Sequence, residues 1–295
     1  MEAVTCRVLL EIAKNGNITK TARVLGYTQA GVSFMIKKLE EECGFPLLFR
    51  EKRGVRLTPE GLRLLPIMRE ITNWHDLFEQ VSFEIRGANT GTVRLGCYLS
   101  VAEHWLPGII GLFSRDYPEI DVEIIEGGTS DIEQWIKDKD VDIGFLSARS
   151  GQDFRTISLK EEAILALMPI GHPLAEQRTF PLSAFGENPF ILSLCDYDSD
   201  SYSVVEAYKK KYHCFPKIKI SSASAYATIA MVANGLGVSV LAETMLKGHC
   251  SNVVVKEISP AFSRRVIMGV HPQHELSPAA AIFLEYARRV IMEKE

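Results

Sequence analysis

At 295 residues, with 46% hydrophobic and 24% charged side chains, the chain has the composition of a globular protein of two or three folding units, which excludes disordered and fibrous classes. No apolar run reaches the roughly 18 residues of a membrane span, and Met1-Glu2-Ala3 opens without a basic stretch or signal core, so no membrane partner and a cytoplasmic location are expected. The net charge of −4 conceals an asymmetry: Met1 to Glu60 carries ten Lys/Arg against seven Asp/Glu, so a phosphate-binding face belongs at the N-terminus.

In chain order, Val8, Leu9, Ile12 and Ala13 recur on one face of a helix from Val4 to Ala13, which Gly16 ends. Asn17 caps a second helix, Ile18 to Leu25, with Ala22 and Leu25 inward and Gly26 as its stop. Thr28 caps a third, running to about Glu42, whose apolar stripe is Val32, Ile36 and Leu39. Two short helices joined by a tight glycine turn make a helix-turn-helix.

The face opposite that stripe presents Gln29, Ala30, Ser33, Phe34 and Lys37, with Thr28 at its start. Such a face enters the major groove, where Gln29 can pair bidentately with adenine and Ala30 or Phe34 can meet a thymine methyl. Ser33, Lys37 and Lys38 can reach base edges or phosphates. The competing reading leaves Gln29 and Ser33 solvated and packs Phe34 on a neighbour.

Past Gly44, Leu47-Leu48-Phe49 reads as a buried strand, Leu57 starts the return, and Arg50, Lys52, Arg53 and Arg56 surround the Gly54 turn. Arginines on a hairpin tip suit a minor groove or flanking phosphates; a solvated charge run is the alternative.

These residues also carry a resemblance. Ala13 to Leu25, Thr28-Gln29-Ala30-Gly31-Val32-Ser33, Leu39-Glu40, Gly44, Leu48-Phe49-Arg50 and Leu57-Thr58-Pro59-Glu60-Gly61 together resemble the signature of LysR-type transcriptional regulators. Thr21-Ala22 stands where that family usually has a small pair, and Phe34 where many members are polar or basic; both bear on which base sequence is read. The resemblance implies an N-terminal α-helical winged helix-turn-helix with a long linker helix, followed by an α/β two-lobed periplasmic-binding-protein-like domain. It also implies a sequence-specific regulator of double-stranded DNA, modulated by a small-molecule effector and in contact with RNA polymerase.

Thr58 caps and Pro59 opens a long helix ending near Arg86, before Gly87. Over about 28 residues it would span ~42 Å. Leu62, Leu65, Ile71, Trp74, Phe78, Val81 and Ile85 give it an apolar face that asks for a partner, either its own chain or a second copy. The resemblance implies the second copy: a homodimer, or a tetramer of two dimers, reading a pseudo-palindromic site. The expected domains are residues 1–58 for the head, 59–88 for the linker and 89–295 for the effector-binding part.

After Gly91 the pattern becomes strands alternating with helices: strand Thr92 to Cys97, helix Ala102 to Tyr117, strand Asp121 to Glu126, helix Ser130 to Lys137 and buried strand Val141 to Leu146. A second set has strands Ala163 to Pro169, Phe190 to Leu194 and Ile218 to Ser221, with helices Tyr202 to Tyr212 and Ala225 to Asn234. Gly235-Leu236-Gly237 turns into strand Val238 to Leu241, the chain returns at Arg264 to Val270, and helix Pro278 to Ile291 closes it. This predicts a mostly parallel sheet in two lobes, about 89–161 with 267–295 and 162–266, with crossovers near Leu159 to Ala163 and Ala261 to Val266. Leu106-Pro107, Tyr117-Pro118, Asp142-Ile143-Gly144 and Gly235-Leu236-Gly237-Val238 extend the resemblance to the family's effector-binding domain.

In open α/β sheets, ligands sit beyond the carboxyl ends of strands, beside helix N-termini. Ser100, Thr129 and Ser147 each follow a strand and supply a hydroxyl near backbone donors, which suits a small polar or anionic metabolite; they also serve as ordinary helix caps. The second lobe is expected to contribute Asp198, Ser201 and Tyr202 from Asp196-Tyr197-Asp198-Ser199-Asp200-Ser201-Tyr202. Its aspartates can bind an amine, repel an anion or favour a helix start.

The six cysteines, Cys6, Cys43, Cys97, Cys195, Cys214 and Cys250, lie far apart and read as reduced thiols, with no metal or cofactor expected. No G-x-S-x-G elbow, H-x-x-x-H pair or phosphate loop is present, and Gly91 and Gly96 fall at strand ends rather than in a dinucleotide turn. His104, beside Glu103 and Trp105, reads as a satisfied histidine in the first turn of a helix. An enzyme or a solute-binding protein on the two-lobed domain is the rival to a regulator.

Overall fold

The computed structural model describes residues 2–51, 54–85, 90–148, 152–194, 200–250, 252–273 and 275–292. It divides into two compact units, Met1–Thr90 and Gly91–Glu295.

The first unit is built on helix caps. α1 (Ala3–Asn15) buries Cys6, Val8, Leu9 and Ile12 and stops at Gly16, whose φ of 63° needs no Cβ. The Asn17 side chain accepts the Lys20 N–H at 2.9 Å to start α2 (Ile18–Val24), and Thr28 Oγ1 accepts the Gly31 N–H at 3.0 Å to start α3 (Gln29–Cys43). β1 (Leu48–Glu51) and β2 (Gly54–Leu57) pair antiparallel as the wing. The wing is tied to α1 where the Val55 N–H donates to Gly16 O at 2.9 Å. A Cβ on Gly54, φ 137°, would fall 2.5 Å from that same oxygen, so the contact requires glycine.

The expected buried strand needs correction. Leu47 is buried but precedes β1, and Phe49 is 43% exposed with the Arg56 guanidinium 5.2 Å from its ring centre. A two-stranded wing buries little: Leu48 is half-buried, and Phe49, Arg50 and Glu51 are all exposed. α4 (Pro59–Ile85) starts from Thr58, whose Oγ1 accepts the Gly61 N–H at 3.0 Å. Met68 is buried in the head's core, and Leu65 and Ile71 pack against it.

The second unit runs β3 (Gly91–Cys97), α5 (Leu99–His104), α6 (Leu106–Asp116), β4 (Ile120–Glu126), α7 (Thr129–Lys137) and β5 (Ile143–Ser147). Then come β6 (Arg155–Pro169), β7 (Thr179–Pro181), α8 (Ala184–Glu187), β8 (Phe190–Ser193), α9 (Asp200–Tyr212), β9 (Ile218–Ser222) and α10 (Ala225–Ala233). β10 (Ser239–Ala242), α11 (Glu243–Leu246), β11 (Val253–Val270) and α12 (Pro278–Met292) complete it. The main sheet is ordered β10-β6-β11-β5-β3-β4, with β7 beside β11; β8 and β9 pair separately.

Three expectations change here. The sheet is mixed: β3 pairs parallel with β4 and β5, while β5/β11, β11/β6 and β6/β10 are antiparallel. The single helix expected from Ala102 to Tyr117 is two, divided at Trp105, because Pro107 suits the first turn of a helix and, in a continuous helix, could not donate to the carbonyl four residues back. His104 therefore ends α5 and does not lie in a first turn. The crossovers expected near Leu159 to Ala163 and Ala261 to Val266 fall where β6 and β11 pass from one core to the other; these strands pair from Val253↔Pro169 to Val270↔Arg155 with register shifts between Glu257 and Phe262 and between Val266 and Ile267.

Two lobes hang on this ribbon. One core gathers Leu95, Phe113, Phe145, Met268 and Phe283. The other side has two clusters, one around Phe180, Phe185 and Phe190 and one around Ile191, Ile229 and Leu241. β6 supplies Leu159 to the first lobe and Ile164, Ala166 and Met168 to the second.

Candidate DNA-binding face and effector cleft

On α3, Val32, Ile36 and Leu39 are buried and the opposite face is open: Gln29, Ala30, Lys37 and Lys38 are exposed and Ser33 is half-buried. Phe34 is 68% exposed, so within its unit it does not pack on a neighbour. The first turn of α3 carries no acidic side chain, which leaves its positive end unopposed. Lys37 lies 3.5 Å from Glu41 one turn on. In the wing, Arg50 and Arg56 are exposed, and Arg56 pairs with Glu51 at 3.1 Å. Lys52 and Arg53 lie outside the described residues.

Along α4, Leu62, Trp74 and Val81 are exposed and Phe78 is 72% exposed. Leu65 and Ile71, grouped with them on sequence, are instead half-buried against the head's own core. Ile67, Phe83 and Ile85 are also exposed. Ile67, Trp74, Phe78, Val81 and Ile85 recur at spacings of seven, four, three and four, the period of a helix-pairing seam.

In the α/β unit Ser100, Thr129 and Ser147 are all buried. The cap positions of α5 and α7 belong to Tyr98 and Gly128, so none of the three is spent as a helix cap. Tyr98 gathers two of them: its hydroxyl lies 2.8 Å from Thr129 Oγ1 and accepts the Ser147 N–H. Ser100 Oγ accepts from Arg264 Nη2 at 3.2 Å, and that guanidinium sits 5.4 Å from the Tyr98 ring centre. Ser147 Oγ is buried and has no hydrogen-bond partner among the described residues.

Arg264 is anchored from behind. Its Nε donates to Glu162 Oε2 at 2.7 Å, and Glu162 Oε1 accepts the Thr244 N–H at 2.8 Å. Burial pushes the Glu162 carboxyl up, but the Arg264 charge and the hydrogen bonds from Thr244 and Arg264 outweigh it and hold the group below its ordinary range. Ser201 and Tyr202 lie within α9, not ahead of it. The Ser201 hydroxyl reaches Val240 O at 3.5 Å, and Tyr202 packs against the second lobe's core. Asp198 lies outside the described residues.

Sequence reasoning missed Tyr98, Glu162 and Arg264. The only trace was charge directly flanking apolar strands, in Lys160-Glu161-Glu162 and Arg264-Arg265.

A winged helix-turn-helix joined to a two-lobed α/β domain with buried polar groups at its strand ends is the build of a ligand-responsive DNA-binding protein. Residues 5–62 match the family described as bacterial regulatory helix-turn-helix protein, lysR family, and residues 86–291 match the LysR substrate binding domain. The chain therefore belongs to the LysR family of transcriptional regulators, with a DNA-binding head and an effector-binding domain. It is 27% identical over 294 residues to the HTH-type transcriptional regulator YvbU of Bacillus subtilis, covering 98% of this chain and 99% of the relative. Among solved structures it is similar to HinK, a LysR family regulator from Pseudomonas aeruginosa, at 25% identity and a TM-score of 0.62, covering 100% of this chain and 99% of that one. It also shares its fold with a full-length OxyR from Pseudomonas aeruginosa, at 21% identity and a TM-score of 0.71, covering 99% and 94%.

Proposed function

We propose that the effector is a small polar or singly anionic metabolite bound at Ser100, Thr129 and Ser147, and that Tyr98 holds its place when it is absent. The observation that carries this reading is the Tyr98 hydroxyl between Thr129 Oγ1 and the Ser147 N–H, with the Ser147 hydroxyl, which has no hydrogen bond among the described residues, alongside. A carboxylate oxygen would accept from the same donors once the tyrosine moved aside. Because Glu162 already neutralises Arg264, that guanidinium offers little net positive charge to a dianion. From the second lobe, Asp198, Ser201 and Tyr202 are the proposed ligand contacts.

The effector would stabilise one arrangement of the lobes over another and so shift how paired heads sit on DNA. In this reading Thr28, Gln29, Ala30, Ser33, Phe34, Lys37 and Lys38 face the major groove, and Arg50, Arg53 and Arg56 the flanking backbone or minor groove. Two copies paired through α4, or two such dimers, read a pseudo-palindromic promoter site and contact RNA polymerase, in the cytoplasm where bacterial DNA lies. No reaction is catalysed.

The test is a thermal-shift screen of metabolites followed by calorimetry. A ligand that raises the midpoint of the wild type should bind about 10- to 100-fold more weakly to Thr129→Val and Ser147→Ala, as loss of a hydrogen bond to a charged group predicts. Tyr98→Phe should bind at least as tightly as the wild type. Unchanged affinity in both Thr129→Val and Ser147→Ala would refute the assignment.

A further inference from the structure

One turn beyond Ser100, α5 ends in Glu103 and His104, and the second lobe brings Tyr226 of α10 and His249, just past α11, against them. Glu103 Oε1 lies 3.4 Å from His249 Nε2, and Glu103 Oε2 lies 3.6 Å from His104 Nε2 while accepting the Tyr226 hydroxyl. The Tyr226 and His249 rings are 4.7 Å apart. The three ligand atoms of Glu103, His104 and His249 lie within 4.8 Å of one another. The Glu103 carboxylate is exposed, so the group is open to solvent exchange.

Hydrogen bonding alone does not account for this cluster. Among the described residues His104 Nε2 is buried and makes no hydrogen bond, although a carboxylate stands 3.6 Å away. A buried imidazole nitrogen that has an ion-pair neighbour but no hydrogen bond is still costly, and a metal ion held between it and the carboxylate would satisfy both. Bonds of 2.0–2.1 Å in a tetrahedral site put neighbouring ligand atoms about 3.4 Å apart; the two Glu103 oxygens stand 3.4 Å from His249 and 3.6 Å from His104, and the three ligand atoms together lie within 4.8 Å, so small side-chain movements would close them on an ion. Two imidazoles and one carboxylate exclude Mg²⁺ and Ca²⁺, which take oxygen, and suit first-row ions late in the series.

We propose that Glu103, His104 and His249 form a binding site for a divalent transition-metal ion such as Zn²⁺, with a fourth position for water or the Tyr226 oxygen. The surrounding charge tempers the site. Lys160 and Lys247 line a cavity of about 260 Å³ on another side of His104 and oppose a cation, while Glu126 lies near Tyr226 and favours one. That balance suits reversible binding more than a permanent structural ion. Since two ligands come from α5 of the first lobe and one from the second, an occupied site would fasten the lobes together. It stands independently of whether the Tyr98 cleft takes a metabolite.

The experiment titrates metal-stripped full-length protein with Co²⁺, followed by its visible absorption, and with Zn²⁺ by calorimetry. One ion per chain is expected, with affinity falling at least tenfold in His104→Gln and in His249→Gln and little changed in Tyr226→Phe. His75, Asp76 and Glu79 on α4 form another group of possible ligands, so His75→Gln is the control. Absence of binding overturns the proposal, as does binding that survives the His104→Gln/His249→Gln double variant. X-ray absorption of the zinc-loaded wild type needs no variant and should give two imidazoles with oxygen; a sulfur shell or the lack of imidazole scattering would equally overturn it.

Discussion

Glu162 and Arg264 sit buried behind Ser100, and their pairing sets a measurable pH response. Removing one partner strands the other charge, so Glu162→Ala should cost ~3–5 kcal/mol of domain stability by urea unfolding, whereas replacing both with packed apolar residues should cost far less. The folded Glu162 carboxyl lies below its unfolded value, so its contribution is complete above about pH 4.3 and is lost as pH falls through the lower folded value. The stability gap between wild type and Glu162→Gln should therefore hold from pH 7 to 5 and narrow below pH 4; a gap that widens in acid would contradict this. At this scale Ser100, Thr129 and Ser147 could be singled out as candidates from the sequence because each follows a strand. Tyr98, Glu162 and Arg264 were not, since 102 residues separate Glu162 from Arg264 and only strand pairing brings them together.

Among the elements, α4 carries the plainest exposed apolar seam. Phe78→Glu with Trp74→Glu should shift the oligomer toward monomer in sedimentation and weaken operator binding at least tenfold without lowering the head's helicity; an unchanged oligomer would place the interface elsewhere. In the wing, Gly54→Ala has to push a methyl group into the Gly16 carbonyl from an unfavourable φ, and should lower the head's stability by ~1–3 kcal/mol in thermal unfolding. Helix boundaries in the head were readable because Gly16, Asn17, Thr28, Gly44 and Pro59 punctuate them chemically. The division at Trp105 was missed although Pro107 marked it. The length of β6 and β11 was missed because Lys160-Glu161-Glu162 and Ser263-Arg264-Arg265 look like loop sequence unless one knows that Glu162 and Arg264 satisfy each other.

For the whole molecule, the net positive balance of the first sixty residues makes DNA affinity a function of salt. Arg50→Ala should weaken binding across sequences and reduce the slope of log affinity against log salt by about 0.9, whereas Gln29→Ala should relax base preference with the slope unchanged. A slope unaffected by Arg50→Ala would remove the wing from the interface. The ribbon of β6 and β11 has a different consequence, for how the effector domain comes apart. Each strand contributes side chains to both lobes, so neither core can melt without unzipping the frame of the other. Calorimetry on the isolated residues 91–295 should give one endotherm whose van't Hoff and calorimetric enthalpies agree, despite the separate cores. The same frame joins segments about a hundred residues apart, so refolding should be slow for its size, and the two lobes should gain protection from hydrogen exchange together rather than in succession.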